Sequence, residues 1–296
     1  MTEAARTTGL VKHFGAVRAV DGVDLVIRPG EVVGLLGPNG AGKTTIIRTL
    51  MGYLRPTAGT VVVLGGRPED PSVRVRIGYL PAESSPDRRL TVARFLRWYG
   101  DLRGGVPQER VGELCERLGV EPYRRISELS TGNRRKVGFV QAVMHNPDLL
   151  VLDEPTGGLD PLVQREALAL VRERAAAGAG VLFSSHVLPE VADVADRVAM
   201  LREGVVVHET AVSALRDIAR ERIELHVGEP LPAGLLDGVP GVVTWRAEGT
   251  RVLVDVDGPV GALVRTLAPY DVQRIVTHEQ DLEDVFFTFY RSGDAP

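Results

Sequence analysis

The chain has 296 residues but only one cysteine, and no segment of it is a long hydrophobic run. A lone Cys115 excludes an internal disulfide framework and a multi-thiolate metal site, and it favours a reducing compartment. No segment reaches the ~18 consecutive apolar residues that cross a bilayer. Residues 1–10 also lack the basic and then apolar order of a secretory signal. We therefore expect a cytoplasmic chain without a membrane span of its own.

The chain also lacks a basic surface. Its formal net charge is −4, and residues 223–296 carry twelve acidic residues against five arginines, a balance of −7. Because nucleic-acid binding relies on clustered positive charge, no DNA or RNA partner is expected. Lysine is scarcer still, since only Lys12, Lys43 and Lys136 occur among 35 basic residues. A lysine that persists in such a chain is a candidate for a specific chemical role.

The remaining composition is that of a globular protein with one large or two unequal domains. Hydrophobic residues make up 44% and charged residues 25% of the chain. Apolar patterning predicts strands at residues 18–28, 31–36, 59–64, 76–80, 149–152 and 180–184, and helices at 90–103 and 111–118. Cys115 falls on the apolar side of the second helix. After residue 204 the pattern weakens, and a helix at 211–220 leads into a unit with strands at 223–227, 242–246, 252–257 and 272–276 and helices at 260–267 and 282–290.

A glycine-rich loop connects the strand at 31–36 to a helix. It consists of Gly37, Pro38, Asn39, Gly40, Ala41, Gly42, Lys43 and Thr44, followed by Thr45. This is a complete G-x-x-x-x-G-K-[ST] motif in the strand-to-helix context that the motif requires. Its backbone N–H groups and the helix N-terminus bind phosphates, Lys43 reaches the outer phosphates, and the Thr44 hydroxyl suits Mg²⁺. The loop predicts a nucleotide site.

A second motif places two carboxylates at the end of a buried strand. The apolar run at 149–152 ends in Asp153 and Glu154. The carboxyl ends of parallel strands are where phosphates bind in such sheets. Asp153 then suits Mg²⁺, directly or through water, and Glu154 can accept a proton from an attacking water.

Five motifs follow one another in a characteristic order, at residues 37–45, 129–133, 152–156, 158–161 and 184–186. Together they resemble the ATP-binding cassette of ABC transporters over roughly residues 5–215. The residues after the cassette resemble the small C-terminal extension of the ABC-2 type export group. This resemblance implies an α/β P-loop cassette over 1–222, with an antiparallel β subdomain and a helical subdomain at about 83–150. It also implies a small α+β domain with a regulatory or dimerisation role at 223–296.

The resemblance implies a head-to-tail dimer with a second copy of the chain, which holds two ATP molecules. Each ATP would lie between the Lys43 loop of one copy and Ser130 and Gly132 of the other. Neither copy would complete a site alone.

The resemblance assigns three further roles. Phe14, placed before the first predicted strand, matches the aromatic residue that stacks on adenine. His186 matches the histidine that contacts the γ-phosphate, and Asp160 matches the residue that couples the two sites of the dimer.

The chain departs from the family pattern in two places. Thr131 and Asn133 stand at the third and fifth positions of a signature that usually reads Leu-Ser-Gly-Gly-Gln. Ala82 stands where the family has a glutamine that senses Mg²⁺ and the membrane partner. The adjacent Glu83 is our candidate for its replacement.

The sequence thus predicts an ATP-hydrolysing subunit that powers a separate membrane permease, in an export system, from the inner face of the membrane. Residues 83–125 are expected to hold the groove for the permease's cytoplasmic helix. The cargo stays open among drugs, lipids, peptides and polysaccharides.

The alternative is a soluble cassette ATPase that acts on nucleic acid or ribosomes. Lys43 and Asp153 are only 110 residues apart, too close for the long coiled coil of chromosome-organising cassettes, and the chain has a single cassette. A GTPase would carry Asn-Lys-x-Asp, which is missing. A non-catalytic ATP-binding module is opposed by the joint presence of Glu154 and His186.

Overall fold

The computed structural model describes residues 3–83, 86–218 and 221–279. The chain divides into two compact units, of which the first runs to Val212 and the second begins at Ser213. The sequence pattern puts the domain boundary at residue 222, inside the first strand of the second unit. The predicted helix at 282–290 lies outside the described residues. No helix in the described part of the chain combines the length and the apolar character that a membrane span needs.

The first unit contains strands and helices in alternation. Its strands are β1 (Ala5–Phe14), β2 (Val17–Ile27), β3 (Val32–Leu36), β4 (Ala58–Val63), β5 (Ile77–Leu80), β6 (Leu149–Asp153), β7 (Gly180–Ser185), β8 (Arg197–Arg202) and β9 (Val205–Ala211). Its helices are α1 (Lys43–Leu50), α2 (Pro71–Arg74), α3 (Val92–Asp101), α4 (Gln108–Arg117), α5 (Thr131–Val143), α6 (Pro161–Ala176) and α7 (Leu188–Val194). Helix α8 (Val212–Ile218) begins where the first unit ends.

A mostly parallel sheet positions the predicted motifs. The described strands run in the order β5-β6-β7-β3-β8-β9, with only β9 antiparallel to its neighbour. Every residue of β3, β6 and β7 is buried, as expected for strands covered by helices on both faces. The carboxyl ends of these three strands, at Leu36, Asp153 and Ser185, therefore meet at one edge of the sheet.

A smaller antiparallel sheet has the order β2-β1-β4. The sequence analysis missed β1, and Phe14 is the last residue of this strand rather than a residue before the first strand. The alternation of β1 is broken because its register with β2 shifts between Thr7 and Leu10 and again after Leu10. Strand β9 was also missed, since it is a sheet edge in which no residue is fully buried.

The helical subdomain comprises α3, α4 and α5. Thr91 caps α3 and Ser130 caps α5, because each side-chain oxygen accepts a backbone N–H of the first turn. Cys115 on α4 is 2% exposed, which confirms it as a core residue. Burial raises the pKa of the Cys115 thiol to about 11. The thiol is therefore unsuited to chemistry near neutral pH.

The second unit is a small antiparallel sheet with a helix. Its described strands are β10 (Glu221–Val227), β11 (Val242–Glu248), β12 (Arg251–Val256) and β13 (Val272–Glu279), in the order β11-β12-β10-β13. Helix α9 (Gly261–Leu267) contributes Leu263 and Leu267 to a core that includes Leu225 and Val254. These elements correspond to the four strands and the first of the two helices predicted after residue 222.

Candidate active site

The phosphate loop joins β3 to α1 in a conformation that its glycines permit. Gly42 has a φ of 109°, and a Cβ built on it would lie 2.5 Å from the carbonyl oxygen of Ala19. A Cβ on Gly37 would lie 2.4 Å from the carbonyl oxygen of Leu201. A side chain at either position would collide with backbone, so the motif's glycines are needed for packing as well as for the turn. Helix α1 starts at Lys43 and directs its N-terminus at the loop.

Lys43 is buried beneath this loop, with 6% of the residue exposed. Its Nζ donates to the carbonyl oxygens of Gly37 at 2.5 Å and of Pro38 at 3.3 Å. It also lies 3.3 Å from Oε1 of Glu154. A buried ammonium requires such partners, and here they come from the phosphate loop and from the end of β6.

Thr44 and Asp153 meet as the sequence predicts. The Thr44 hydroxyl donates to Asp153 Oδ2 at 3.0 Å, and Asp153 is 1% exposed. The other carboxylate oxygen accepts from Ser184 Oγ at 2.7 Å. Asp153 and Ser184 are register partners on β6 and β7. The two strands therefore hold the Asp153 carboxylate in a fixed orientation beside the phosphate loop.

Glu154 is the next residue and bridges two predicted site residues. Its Oε1 faces Lys43, and its Oε2 lies 2.8 Å from His186 Nδ1. Glu154 has a φ of 50°, a left-handed backbone conformation that costs a non-glycine residue about 1–2 kcal/mol. Its backbone N–H donates a hydrogen bond to the Ser184 hydroxyl oxygen at 3.1 Å. A strained residue that is held in place in this way is typical of functional sites.

Ser130, Gly132 and Asp160 lie apart from the phosphate loop and Glu154 of the same chain. Ser130 is exposed, and its Oγ accepts the N–H of Asn133 at the start of α5. Gly132 packs closely, since a Cβ there would lie 2.7 Å from the carbonyl oxygen of Gly158. Asp160 caps α6 by accepting the N–H of Val163. Among the described residues, no hydrogen bond or ion pair joins the side chains of Ser130 and Asp160 to the phosphate loop.

Phe14 lies at the end of the hairpin formed by β1 and β2, where it pairs with Val17. The residue is 48% exposed, and the Lys12 ammonium stands 5.2 Å from the ring centroid. Ala19, two residues beyond Val17, contacts Gly42 of the phosphate loop. Phe14 is therefore available for stacking at the same end of the unit as the phosphate loop.

Arg135 is a residue that the sequence analysis missed. Its guanidinium donates to three backbone carbonyls, of Pro155 at 3.1 Å, of Ala82 at 2.7 Å and of Asp153 at 3.1 Å. Burial lowers the pKa of Arg135, and the charges of Glu154 and Asp153 act in the opposite direction. It connects α5 to the end of β6 and to the segment after β5.

Glu190 was missed as well. Its Oε2 accepts from Thr156 Oγ1 at 2.6 Å and from Ser185 Oγ at 3.0 Å. This carboxylate joins the segment after β6 to the end of β7, and so it supports the loops that carry Glu154 and His186.

A cleft lies between the sheet and the helical subdomain. It has a volume of about 440 Å³ and is lined by Arg48, Met51, Tyr53, Arg74, Ile77, Tyr79, Pro81, Tyr99, Arg103 and Gln141. The charged residues of this lining are all arginines. Arg103 stacks on Tyr99 and Arg74 lies over Tyr53, at 5.5 and 6.0 Å from the ring centroids. Only Tyr99 and Arg103 of this set fall within the predicted groove region 83–125.

Comparison with known proteins identifies the family. The model of a family described as "ABC transporter" matches residues 20–157. The chain is 32% identical to the uncharacterized ABC transporter ATP-binding protein YhaQ of Bacillus subtilis, with 94% of this chain and 95% of YhaQ covered. This chain belongs to the ABC transporter family. It is also 35% identical to the daunorubicin/doxorubicin resistance ATP-binding protein DrrA of Streptomyces peucetius, over 96% of this chain and 92% of DrrA.

The ABC transporter fold is confirmed by a solved structure. An ATP-binding subunit of an ABC transporter superposes with a TM-score of 0.68 at 28% identity, covering 72% of this chain and 92% of that one. The recognition of an ATP-binding subunit of the ABC-2 type export group is confirmed. The chain is an ATP-binding subunit of an ABC transporter, which hydrolyses ATP to power a separate membrane permease.

Proposed function

We propose that Glu154 is the general base of ATP hydrolysis and that Lys43 binds the outer phosphates. The supporting observation is the position of the Glu154 carboxylate between the Lys43 ammonium and the His186 ring. If Lys43 binds the outer phosphates of ATP, the Glu154 carboxylate lies next to them. It can then accept a proton from the attacking water. Measuring ATP hydrolysis by the purified chain and its Glu154→Gln variant tests this proposal.

His186 would bind the γ-phosphate with the nitrogen that Glu154 leaves free. The ring contacts Glu154 through Nδ1 and can present Nε2 to a phosphate. Its side chain is 55% exposed, so the ring can be reached from outside the cluster.

A Mg²⁺ ion accompanies ATP in this proposal. Thr44 Oγ1 and Asp153 Oδ2 lie 3.0 Å apart, and Mg²⁺ prefers oxygen ligands in addition to phosphate oxygens. Thr44 would bind the ion directly and Asp153 directly or through water. The ion would offset phosphate charge beside a buried carboxylate, while Ser184 keeps that carboxylate oriented.

The working unit is proposed to be a head-to-tail dimer. Ser130 is exposed and separate from the phosphate loop of its own chain, so it is available to the ATP of a second copy. The N-terminus of α5, with Gly132 in its first turn, would then bind phosphate across the interface. Asp160 would couple the two sites, since its carboxylate lies 3.9 Å from Lys136 on the signature helix.

The cleft beside the helical subdomain is proposed to receive the permease, on the cytoplasmic face of the membrane. Its three arginines favour a segment that carries acidic residues, and its tyrosines offer apolar and stacking surface. Pro81 lines the cleft, and the next residue, Ala82, is bound by Arg135. The cleft is therefore joined to the catalytic turn through two adjacent residues and one side chain.

Reversing one charge in the cleft should uncouple the subunit from its permease. With Arg48→Glu we expect at least a tenfold loss of co-purification with the membrane subunit, because like charges would face each other in the interface. Basal ATP hydrolysis should stay within about twofold, because the Arg48 side chain lines the cleft and has no described hydrogen bond or ion pair with the side chains of the proposed site residues. Arg97→Glu, an exposed arginine on α3 outside the cleft, is the matched control. Equal losses for both variants would refute the assignment of the cleft.

We propose that residues 223–296 steady the dimer or modulate its rate. The proposed site residues all precede this region, and the second compact unit has its own core. The competing explanation is that the region packs on the cassette only to cover apolar surface. The two roles differ in what truncation changes.

A chain that ends at Arg222 should still bind ATP but dimerise more weakly. Light scattering with and without ATP, in the Glu154→Gln background that stops hydrolysis, measures association, and thermal melting measures stability. We expect weaker ATP-driven association or an altered ATPase rate at a similar melting temperature. Unchanged association at a lower melting temperature would instead support the packing role.

A further inference from the structure

We propose that Arg135 is a positioning residue for ATP hydrolysis, which fixes the backbone on both sides of Glu154 and joins it to the segment after β5. The Arg135 guanidinium donates hydrogen bonds to three backbone carbonyls. Two of these carbonyls, of Asp153 and Pro155, flank Glu154 in the chain. The third belongs to Ala82. This inference rests on the proposed role of Glu154 as general base.

The hydrogen bonds to Asp153 and Pro155 act on a strained turn. Glu154 has a φ of 50°, and from this backbone position its side chain reaches both Lys43 and His186. If the flanking peptides could rotate, Glu154 would relax toward a right-handed or extended backbone conformation. Its carboxylate would then move away from Lys43 and His186. A planar guanidinium with donors in fixed directions restrains both peptides at once.

The environment of Arg135 fits a positioning role better than a simple ion pair. The described hydrogen bonds of its guanidinium go to backbone carbonyls and not to carboxylates. The side chain also lies close to Gly157, where a Cβ would stand 4.0 Å from the guanidinium carbon. Arg135 is half-buried, and a partly desolvated cation is costly unless its donors are used. Its hydrogen bonds to the turn at 153–157 offset that cost.

The bond to Ala82 extends this restraint to the segment next to the cleft. ABC transporter ATPases usually have a glutamine where this chain has Ala82. Here the carbonyl of Ala82 accepts a hydrogen bond from Arg135 on α5. Glu83, our sequence-based candidate for the missing function, is exposed, while Arg135 makes the contact with the catalytic turn. A displacement at Pro81 or Ala82 would therefore be transmitted through Arg135 to Glu154.

Arg135→Met tests the inference because it removes the donors and keeps an unbranched apolar stem. We expect kcat for ATP to fall about 10²-fold, the effect of misplacing a catalytic group by roughly 1 Å. The Kd for ATP, measured by calorimetry, should change less than threefold because Arg135 does not contact the phosphate loop. Arg135→Lys keeps the charge and one donor group, and it should recover part of kcat. If Arg135→Met does not fold, Arg135→Lys carries the comparison, with kcat between wild type and the Glu154→Gln level.

Arg117→Met is the matched control for loosened subdomain packing. Arg117 on α4 pairs with Glu166 and Glu173 on α6, so it also joins the helical subdomain to the rest of the unit. It has no contact with the turn at 153–157, and its loss should leave kcat unchanged within about twofold. Equal losses of kcat in Arg117→Met and Arg135→Met would overturn the inference.

A double variant separates positioning from other effects. In the Glu154→Gln background, Arg135→Met should cause no further fall in the residual rate, because the group that it positions has already been disabled. A further tenfold fall would assign Arg135 a role apart from Glu154. If Glu154→Gln is inactive but Arg135→Met turns over normally, only this inference fails. If Glu154→Gln is fully active, the general base assignment fails first.

Discussion

Replacing Glu154 with glutamine should reduce ATP turnover by about 10²–10⁴-fold while ATP still binds. Glutamine keeps the size of the side chain and an oxygen that can accept the hydrogen bond from His186, but it cannot take a proton from water. Lys43 loses its carboxylate partner at 3.3 Å and remains held by the carbonyls of Gly37 and Pro38. The phosphate loop therefore stays intact. We expect ATP to trap the dimer, which single-turnover kinetics and light scattering can measure.

Glu190→Gln is the matched control for the Glu154 variant. It removes a neighbouring carboxylate that binds Thr156 and Ser185 and has no contact with Lys43. Its turnover should fall by less than tenfold. Wild-type hydrolysis by Glu154→Gln would show that another group accepts the proton.

The sequence was sufficient for those parts of the site whose signal is local. The phosphate loop is one continuous motif, and Asp153 and Glu154 directly follow an apolar run, so their placement at the same sheet edge followed from the rule for parallel strands. The same rule could have identified Ser184, because it is the last residue but one of the neighbouring buried strand β7 and pairs in register with Asp153. The prediction of strand β3 rested on equally local evidence.

The missing parts depend on contacts between distant segments. Arg135 is one arginine among many in the sequence, and its role is defined by carbonyls 53 and 20 residues away. Backbone carbonyls leave no mark in a sequence pattern. Strand β1 was missed because register shifts break its alternation, although its hairpin with β2 is what places Phe14. The cleft likewise combines side chains from several elements, of which the predicted region 83–125 supplies only two.

Lys43→Ala should act earlier in the cycle than Glu154→Gln, by weakening ATP binding itself. Lys43 is 6% exposed and supplies the one ammonium group found beside the loop carbonyls and Glu154 in the described residues. Truncating a buried group that pairs with a charge costs about 2–5 kcal/mol. We therefore expect the Kd for ATP to rise by about 30-fold or more, since each 1.4 kcal/mol is roughly tenfold. Calorimetry measures this directly.

Two variants make the Lys43 result specific. Lys136→Ala removes a lysine that lies 3.9 Å from Asp160, away from the phosphate loop, and should leave the Kd for ATP of the monomer unchanged. The double variant Lys43→Ala with Glu154→Gln tests whether the loss comes from an uncompensated carboxylate that repels the phosphates. Because Lys43 is proposed to bind phosphate, we expect the double variant to remain weak. Recovery of wild-type affinity in the double variant would instead mean that Lys43 serves chiefly to neutralise Glu154, and an unchanged Kd in Lys43→Ala alone would remove it from the phosphate site.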